Sequence, residues 1–173
     1  IREPLIVRYP GKVEAGTKSD EPVCGIDFYP TFLELAGIQK PKGKMLDGRS
    51  FAPILKNTEQ RMPERPLYWH FPIYLQNGNK ETPDPLFRTR PGTVMRLGNW
   101  KLHEYFEDGR LELYNLKEDI GEQNNLLKQY PDKVKKMHTM MKDWRGKMNA
   151  PVPTKLNPTY DPEAEKEAIE KQS

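Results

Sequence analysis

Three histidines, one cysteine and a pair of neighbouring arginines are the residues of this chain best suited to chemistry, and their spacing assembles no complete site. His70, His103 and His138 each stand alone, without the three-to-five-residue separation that brings two imidazoles onto one metal ion. Cys24 is the single cysteine, which excludes an internal disulfide and a cysteine-rich zinc site. No glycine-rich loop cradles phosphate and no nucleophile elbow is present. The net charge of +3 is mixed in sign along the chain and forms no stripe for nucleic acid. No apolar run is long enough to span a bilayer. Taken residue by residue, the chain carries no catalytic constellation and no metal site.

The elements able to position such residues are clearest in TVMRLGNWKLHEYFEDGRLELYNL, residues 93–116. From Trp100 to Phe106 the pattern alternates with the period of a half-buried strand. Trp100, Leu102 and Phe106 share one face, with Glu104 as the exception, and Lys101, His103 and Tyr105 take the other. Asp108-Gly109 predicts a two-residue hairpin turn, with Phe106 opposite Leu111, Glu104 opposite Leu113 and Glu107 opposite Arg110. Residues 94–97 make another strand, turned at Gly98-Asn99, and 67–71 read as the first strand of the same sheet. Val134, Met137, Met141, Trp144 and Met148 recur at spacings of three and four, one stripe of an amphipathic helix. Pro131 suits its first position, and Pro151 lies beyond its end. Sheet and helix each have one apolar face, and burying five such side chains contributes on the order of 1.5–3 kcal/mol each before entropy is subtracted.

Upstream, Leu5-Ile6-Val7 is an apolar run without alternation, expected as a strand buried on both faces with its neighbours earlier in a longer protein. The chain opens at Ile1 in strand-like sequence, so it reads as a piece of that protein, and no compartment follows from the lack of a targeting segment. Asp27 is expected to cap a helix over 28–36, with Pro30 in the first turn and Gly37 at the end. Residues 1–40 then read as the tail of an α/β domain and 41–65 as a connector rich in proline, glycine and charge. Residues 66–150 form a small α+β subdomain, and 151–173 read as an extended or disordered tail, with four prolines followed by a charged stretch that can form a frayed helix. The stretch 72–91 shows no period, and loops of that length inside a domain are functional or disordered.

Five phrases give the chain a family resemblance: IREPLIVRYPG (1–11), IDFYPTFLELAGI (26–38), LDGRS (46–50), LYWHFP (67–72) and RLGNWKLHEYFEDGRLELYNLKEDIGEQNNL (96–126). In this order, followed by a tryptophan-bearing helix, they resemble the C-terminal third of the type I, formylglycine-dependent sulfatases. LYNLKEDIGEQNNL is the most telling. The tail with NPTYDP (157–162) is similar to bacterial sulfatases that act on sulfated sugars. The resemblance implies an α+β fold: a small four-stranded antiparallel sheet packed on a C-terminal helix, preceded by a strand-helix remnant of the alkaline-phosphatase-like α/β domain. It implies sulfate ester hydrolysis by a formylglycine nucleophile and a divalent metal, usually calcium. It also implies a periplasmic or secreted protein, with the N-terminal α/β catalytic domain and a sulfated saccharide as partners.

The chain departs from the family where the nucleophile would lie. Cys24 is followed by Gly25-Ile26-Asp27-Phe28, not by the x-Pro-x-Arg of the family motif, and no Asp-Asn dipeptide supplies metal ligands. The chain alone is expected to be catalytically incomplete, with no cofactor of its own. What the resemblance leaves to it is one wall of the substrate pocket. His70, at a strand end, is the first candidate, as donor to a sugar hydroxyl or sulfate, or else as a histidine satisfied at a strand edge. Arg88 and Arg90 can pair bidentately with an anionic sugar or hold the loop; Tyr74 can stack on a sugar ring or anchor the surface. His103 is expected exposed, and Cys24 a small buried residue. The alternative to a sulfatase part is a non-catalytic carbohydrate-binding or protein-interaction module.

Overall fold

The chain is seen in a computed structural model, which describes residues 3–76, 84, 86–155 and 157–172. It divides into two compact units, Ile1–Pro63 and Glu64–Ser173.

In the first unit a 3-10 turn, Gly25–Asp27, leads into α1 (Phe28–Leu35). Asp27 is fully buried, but its carboxylate does not cap α1. It accepts instead from the amides of Cys24 (2.9 Å) and Arg49 (2.8 Å). One turn on, the Thr31 hydroxyl donates to the Asp27 carbonyl (2.6 Å) and accepts from the Phe51 amide (3.0 Å). Two buried polar side chains thus hold the backbone of 49–51, satisfying groups that burial otherwise penalises. The Ser50 hydroxyl accepts from the Ala52 amide at the start of α2 (Ala52–Lys56), and Phe51 meets Phe28 edge to face at 5.5 Å. LDGRS is therefore a strap docked beside α1, and the stretch expected as a connector carries the close of this unit. The apolar run at Leu5-Ile6-Val7 departs from expectation. It forms no strand, and Ile6 is 89% exposed. A strand needs a hydrogen-bonded neighbour, and no described strand lies beside this one.

The second unit contains β1 (Pro66–Phe71), β2 (Leu75–Gln76), β3 (Phe87–Thr89), β4 (Gly92–Leu97), β5 (Trp100–Tyr105) and β6 (Leu111–Asn115). Four of these form an antiparallel sheet in the order β1-β4-β5-β6. Register aligns Tyr68, Met95, Leu102 and Leu113 in one row and His70, Thr93, Glu104 and Leu111 in a second row on the same face. Across this face lies α3 (Pro131–Met148). Met95, Leu102 and Leu113 of the sheet and Val134, Met137 and Met141 of the helix make one buried core. Trp144 is half-buried and stacks on Tyr68 at 4.6 Å. Met148, expected on the buried stripe, is 59% exposed, because the line through Met137 and Met141 continues to Arg145 instead. The helix stops where Asn149 turns left-handed (φ 48°), a conformation asparagine tolerates.

The β5–β6 turn also differs from expectation. The Tyr105 amide donates to the Arg110 carbonyl (2.9 Å), and Glu104 pairs with Leu111, not Leu113. The loop is four residues, 106–109; Gly109 has φ 70°, and Asp108 accepts from the Arg110 amide (2.9 Å) rather than taking a positive φ itself. This shift of two positions keeps every side chain on its expected face, because the strand period is two. The stretch 72–91, expected to lack structure, holds the small antiparallel pair β2–β3, and residues 77–83 and 85 lie outside the described residues. The charged stretch that ends the tail does form a helix, α4 (Pro162–Gln172), its first amides held by Asp161.

The outer edge of β6 is covered by 116–127. The Leu113 amide donates to the Asn125 side chain (3.1 Å), and the Leu113 carbonyl accepts from the Leu126 amide (2.8 Å). Asp119 accepts from the amides of Gln123 and Asn124 and folds the loop into place. An edge strand so paired cannot recruit another chain.

A side chain added at Gly48 meets the Ile26 carbonyl oxygen at 1.9 Å. Gly48→Ala is expected to lift the strap from α1 and cost about 1–3 kcal/mol; an unchanged urea midpoint would show that the strap is not docked.

Candidate functional site

The four side chains expected at a substrate edge come from β1 and the residues after it, and from β3 and the residue after it. Three of them converge on the β5–β6 hairpin loop. The His70 ring lies 5.7 Å from the Phe106 ring. The Tyr74 hydroxyl donates to Glu107 Oε1 (2.7 Å), and Arg90 Nη1 donates to the same oxygen (2.8 Å). Tyr74 and Arg90 also share Phe87, the first at 4.8 Å between ring centroids, the second with its guanidinium 5.0 Å from the ring. Arg88 is exposed and makes no ion pair among the described residues.

His70 ends a chain of hydrogen bonds that begins between sheet and helix. Glu104 accepts from Arg145 Nη1, which also donates to the buried Thr93 hydroxyl oxygen at 3.1 Å. That oxygen lies 2.8 Å from His70 Nδ1, and His70 Nε2 lies 2.7 Å from the Pro151 carbonyl. A carbonyl only accepts, so Nε2 donates to Pro151, and Nδ1 shares one hydrogen bond with the Thr93 hydroxyl. While Pro151 stays in place, His70 has no ring nitrogen left for a sugar. His138 Nε2 approaches the other Glu104 oxygen at 3.2 Å, off the hydrogen-bond direction, and adds attraction without a formed bond. Burial works to raise the Glu104 pKa, but the contacts from Arg145 and His138 outweigh it and hold the carboxyl below its ordinary value.

Arg90 is a second hub. Its Nε bonds Asp84, Nη1 bonds Glu107, and Nη2 bonds Glu165 of α4 at 2.7 Å. Partial burial opposes the charge, yet the hydrogen bonds from these carboxylates keep the guanidinium pKa above its usual value. The Tyr160 hydroxyl donates to Glu165 and, with Arg90, holds that carboxyl low. Tyr74 is pushed up to about 12 by burial and by its bond to Glu107, so its hydroxyl stays protonated.

On the face away from α3, His103 is not exposed as expected. Its Nε2 lies 2.8 Å from Glu122, which also takes the Lys101 ammonium, and its ring meets Tyr114 edge to face. Burial alone would raise the Glu122 pKa, but the hydrogen bonds from His103 and Lys101 bring it down to about 2.

Sequence reasoning does not find Thr93, Glu107, Arg145 or Glu165. A signal existed for one of them: Glu104 interrupts an apolar alternation, and Arg145 continues an apolar stripe one turn past Met141, two complementary charges on facing elements. Among the described residues no three His, Cys, Asp or Glu side chains gather to hold a metal ion. Cys24 Sγ is turned to Asp27 at 3.5 Å. Among the described residues none therefore fits calcium, and Cys24, followed by Gly25-Ile26-Asp27, does not fit formylglycine.

A profile of the family described as N-sulphoglucosamine sulphohydrolase, C-terminal, matches residues 1–147. The chain belongs to that family. It is 37% identical over 160 residues to a sulfatase of Formosa agariphila, covering 87% of this chain and 28% of the relative. It is 30% identical over 148 residues to an N-acetylglucosamine-6-O-sulfatase of Bacteroides thetaiotaomicron, covering 82% of this chain and 24% of the relative. Among solved structures it resembles BT4656 in complex with its substrate D-glucosamine-2-N,6-O-disulfate. There the TM-score is 0.63 and the identity 28%, over 87% of this chain and 30% of that one. This sulphohydrolase C-terminal chain thus spans less than a third of the relatives it matches. Among the described residues no helix is long and apolar enough to cross a membrane.

Two predictions follow from the charges. Arg145→Ala strands Glu104 at the sheet–helix boundary and is expected to cost about 3 kcal/mol or more, whereas Arg145→Met with Glu104→Leu recovers most of it; additive losses in chemical denaturation would show the two are not coupled. Glu122 is depressed to about 2 from an ordinary 4.5, so its stabilisation is complete above about pH 4.5 and is lost as pH falls toward 2. The gap in thermal midpoint between the parent and Glu122→Gln should close over that window, and a gap independent of pH would remove the ion pair as its cause.

Proposed function

We propose that the full-length protein hydrolyses sulfate esters of sulfated amino sugars, and that this chain walls one side of its substrate pocket. The observation that carries the reading is the likeness, over most of the chain, to a protein seen with a disulfated glucosamine as its substrate. The N-acetylglucosamine-6-O-sulfatase relative supports the same class. Formylglycine and calcium belong to the N-terminal α/β catalytic domain of such a protein, which is bacterial and works in the periplasm or outside the cell. This chain supplies contacts to the sugar.

His70, Tyr74, Arg88 and Arg90 form the substrate-facing edge. Arg88 meets an anionic group directly: its guanidinium is exposed and offers paired donors to an oxyanion. Tyr74 presents its ring to the sugar, since its hydroxyl is taken by Glu107 and 46% of the residue stays exposed. Arg90 and His70 line the same edge from behind, each engaged with neighbours of this chain.

Sulfate release by the full-length protein should be measured across N- and O-sulfated glucosamines, with sulfated galactose residues as comparison. Release from the glucosamines first is expected. Retained saccharide binding with no release from any sugar would favour a non-catalytic module. Arg88→Ala should raise KM about tenfold or more with kcat little changed, the effect of losing a charge-assisted hydrogen bond; an unaltered KM would take Arg88 out of the pocket.

A further inference from the structure

The two donors at the back of this edge are both occupied by the same stretch of chain. The Pro151 carbonyl takes the His70 Nε2 proton, and Glu165 of α4 takes Arg90 Nη2, each at 2.7 Å. We propose that the segment from Pro151 to α4 is an intramolecular competitor for the substrate's anionic group: Glu165 holds Arg90, and Pro151 holds His70, until a sulfated saccharide displaces them. The proposal rests on the pocket reading above.

Charge favours the exchange. Among the described residues one guanidinium carries three carboxylates, a formal surplus of two negative charges in that set. Replacing one of the three by a sulfate substitutes oxyanion for oxyanion at the same donor, which a fork-shaped cation accommodates. Asp84 is tied back by the amides of Leu86 and Phe87, and Glu107 by the Tyr74 hydroxyl. Glu165 is the carboxylate that sits on a separable element. No described residue of α4 is buried, and elements with little buried surface open at small cost. Residues 148–173 also lie outside the matched family profile, so the family core does not include the competitor.

Position favours it as well. Arg88 lies in β3 and is exposed, and Arg90 follows one residue past the end of the strand. With Glu165 in place, Arg90 Nη2 is closed to an anion. Withdrawing Glu165 frees that nitrogen, and withdrawing Pro151 frees the His70 Nε2–H. Displacing the whole segment therefore adds two donors to the exposed Arg88.

The test uses the full-length protein and the sulfated glucosamine it turns over best. Glu165→Gln, which keeps the helix and removes the charge, should lower KM about threefold to tenfold with kcat unchanged. Inorganic sulfate should inhibit that variant at correspondingly lower concentration. Arg90→Gln should raise KM and cancel the gain in the double variant. Hydrogen exchange of the amides in 162–172 should rise when the sulfated sugar binds to the wild-type protein. If Arg90→Gln raises KM while Glu165→Gln leaves it unchanged or raises it, the competitor is overturned and the pocket stands, with Glu165 serving to position Arg90. Stronger protection of 162–172 on binding has the same consequence. If neither variant alters KM, the pocket edge itself is wrong and the competitor falls with it.

Discussion

A carboxylate on the apolar face of a sheet has to find a cation, and the second unit is arranged around that requirement. Glu104 shares its face with Leu102 and with the methionine-lined side of α3. Left alone there, its charge is costly; paired with Arg145 it is held ionised. The pair also restricts how the helix lies. Met137 and Met141 are flexible side chains that fill space in more than one way, so the apolar contacts alone allow α3 to slide. An arginine that bonds Glu104 and Thr93 together allows one position. Through Thr93 the same constraint passes to His70, so the orientation of the edge histidine is set by the packing of a helix on the opposite end of its hydrogen-bond chain.

Much of this was legible in the residues. The alternation from Trp100, the prolines around α3 and the three-four spacing of its methionines reach the right sheet, the right helix and the right faces. The failures have separate physical causes. The hairpin register differs from the simple two-residue turn because Asp108 satisfies a backbone amide with its side chain, which favours a longer turn over two left-handed residues. Met148 leaves the buried stripe because the 3.6-residue period carries that line to Arg145. The run at Leu5-Ile6-Val7 has strand character but no partner among the described strands, and a pattern reports only what a segment would do beside a neighbour. The edge was half legible: aromatic and cationic types in an unpatterned stretch marked Tyr74, Arg88 and Arg90. Their partners Glu107 and Glu165 come from 17 and 75 residues away from Arg90, beyond the reach of any local pattern.

The phrases that mark the family prove to be devices for satisfying backbone rather than for reacting. Asp27 and Thr31 of IDFYPTFLELAGI bond the amides of Arg49 and Phe51 beside LDGRS. The second asparagine of QNNL closes the outer strand of the sheet. Each needs a particular side chain because a buried amide has few alternatives to water. These motifs are recognisable in sequence because they build a scaffold, each by satisfying backbone groups that no other side chain at that place would reach.

The two arginine hubs separate scaffold from edge. Arg145 is nearly buried and bonds one carboxylate and one hydroxyl, a closed arrangement whose partners have nowhere else to go. Arg90 is about a fifth exposed and bonds three carboxylates drawn from three segments, one of them on a helix in which no described residue is buried. Both pairings hold elements together, but among the described residues only the second gathers more carboxylates than cations around a group that solvent can reach. Removing one anion from Arg145 uncovers a buried charge; removing one from Arg90 leaves two. The ion pair under the sheet has no slack, whereas the one that Arg90 shares with Tyr74 through Glu107 lies where solvent reaches it, so the same side-chain chemistry serves a buried contact in one place and a partly exposed one in the other.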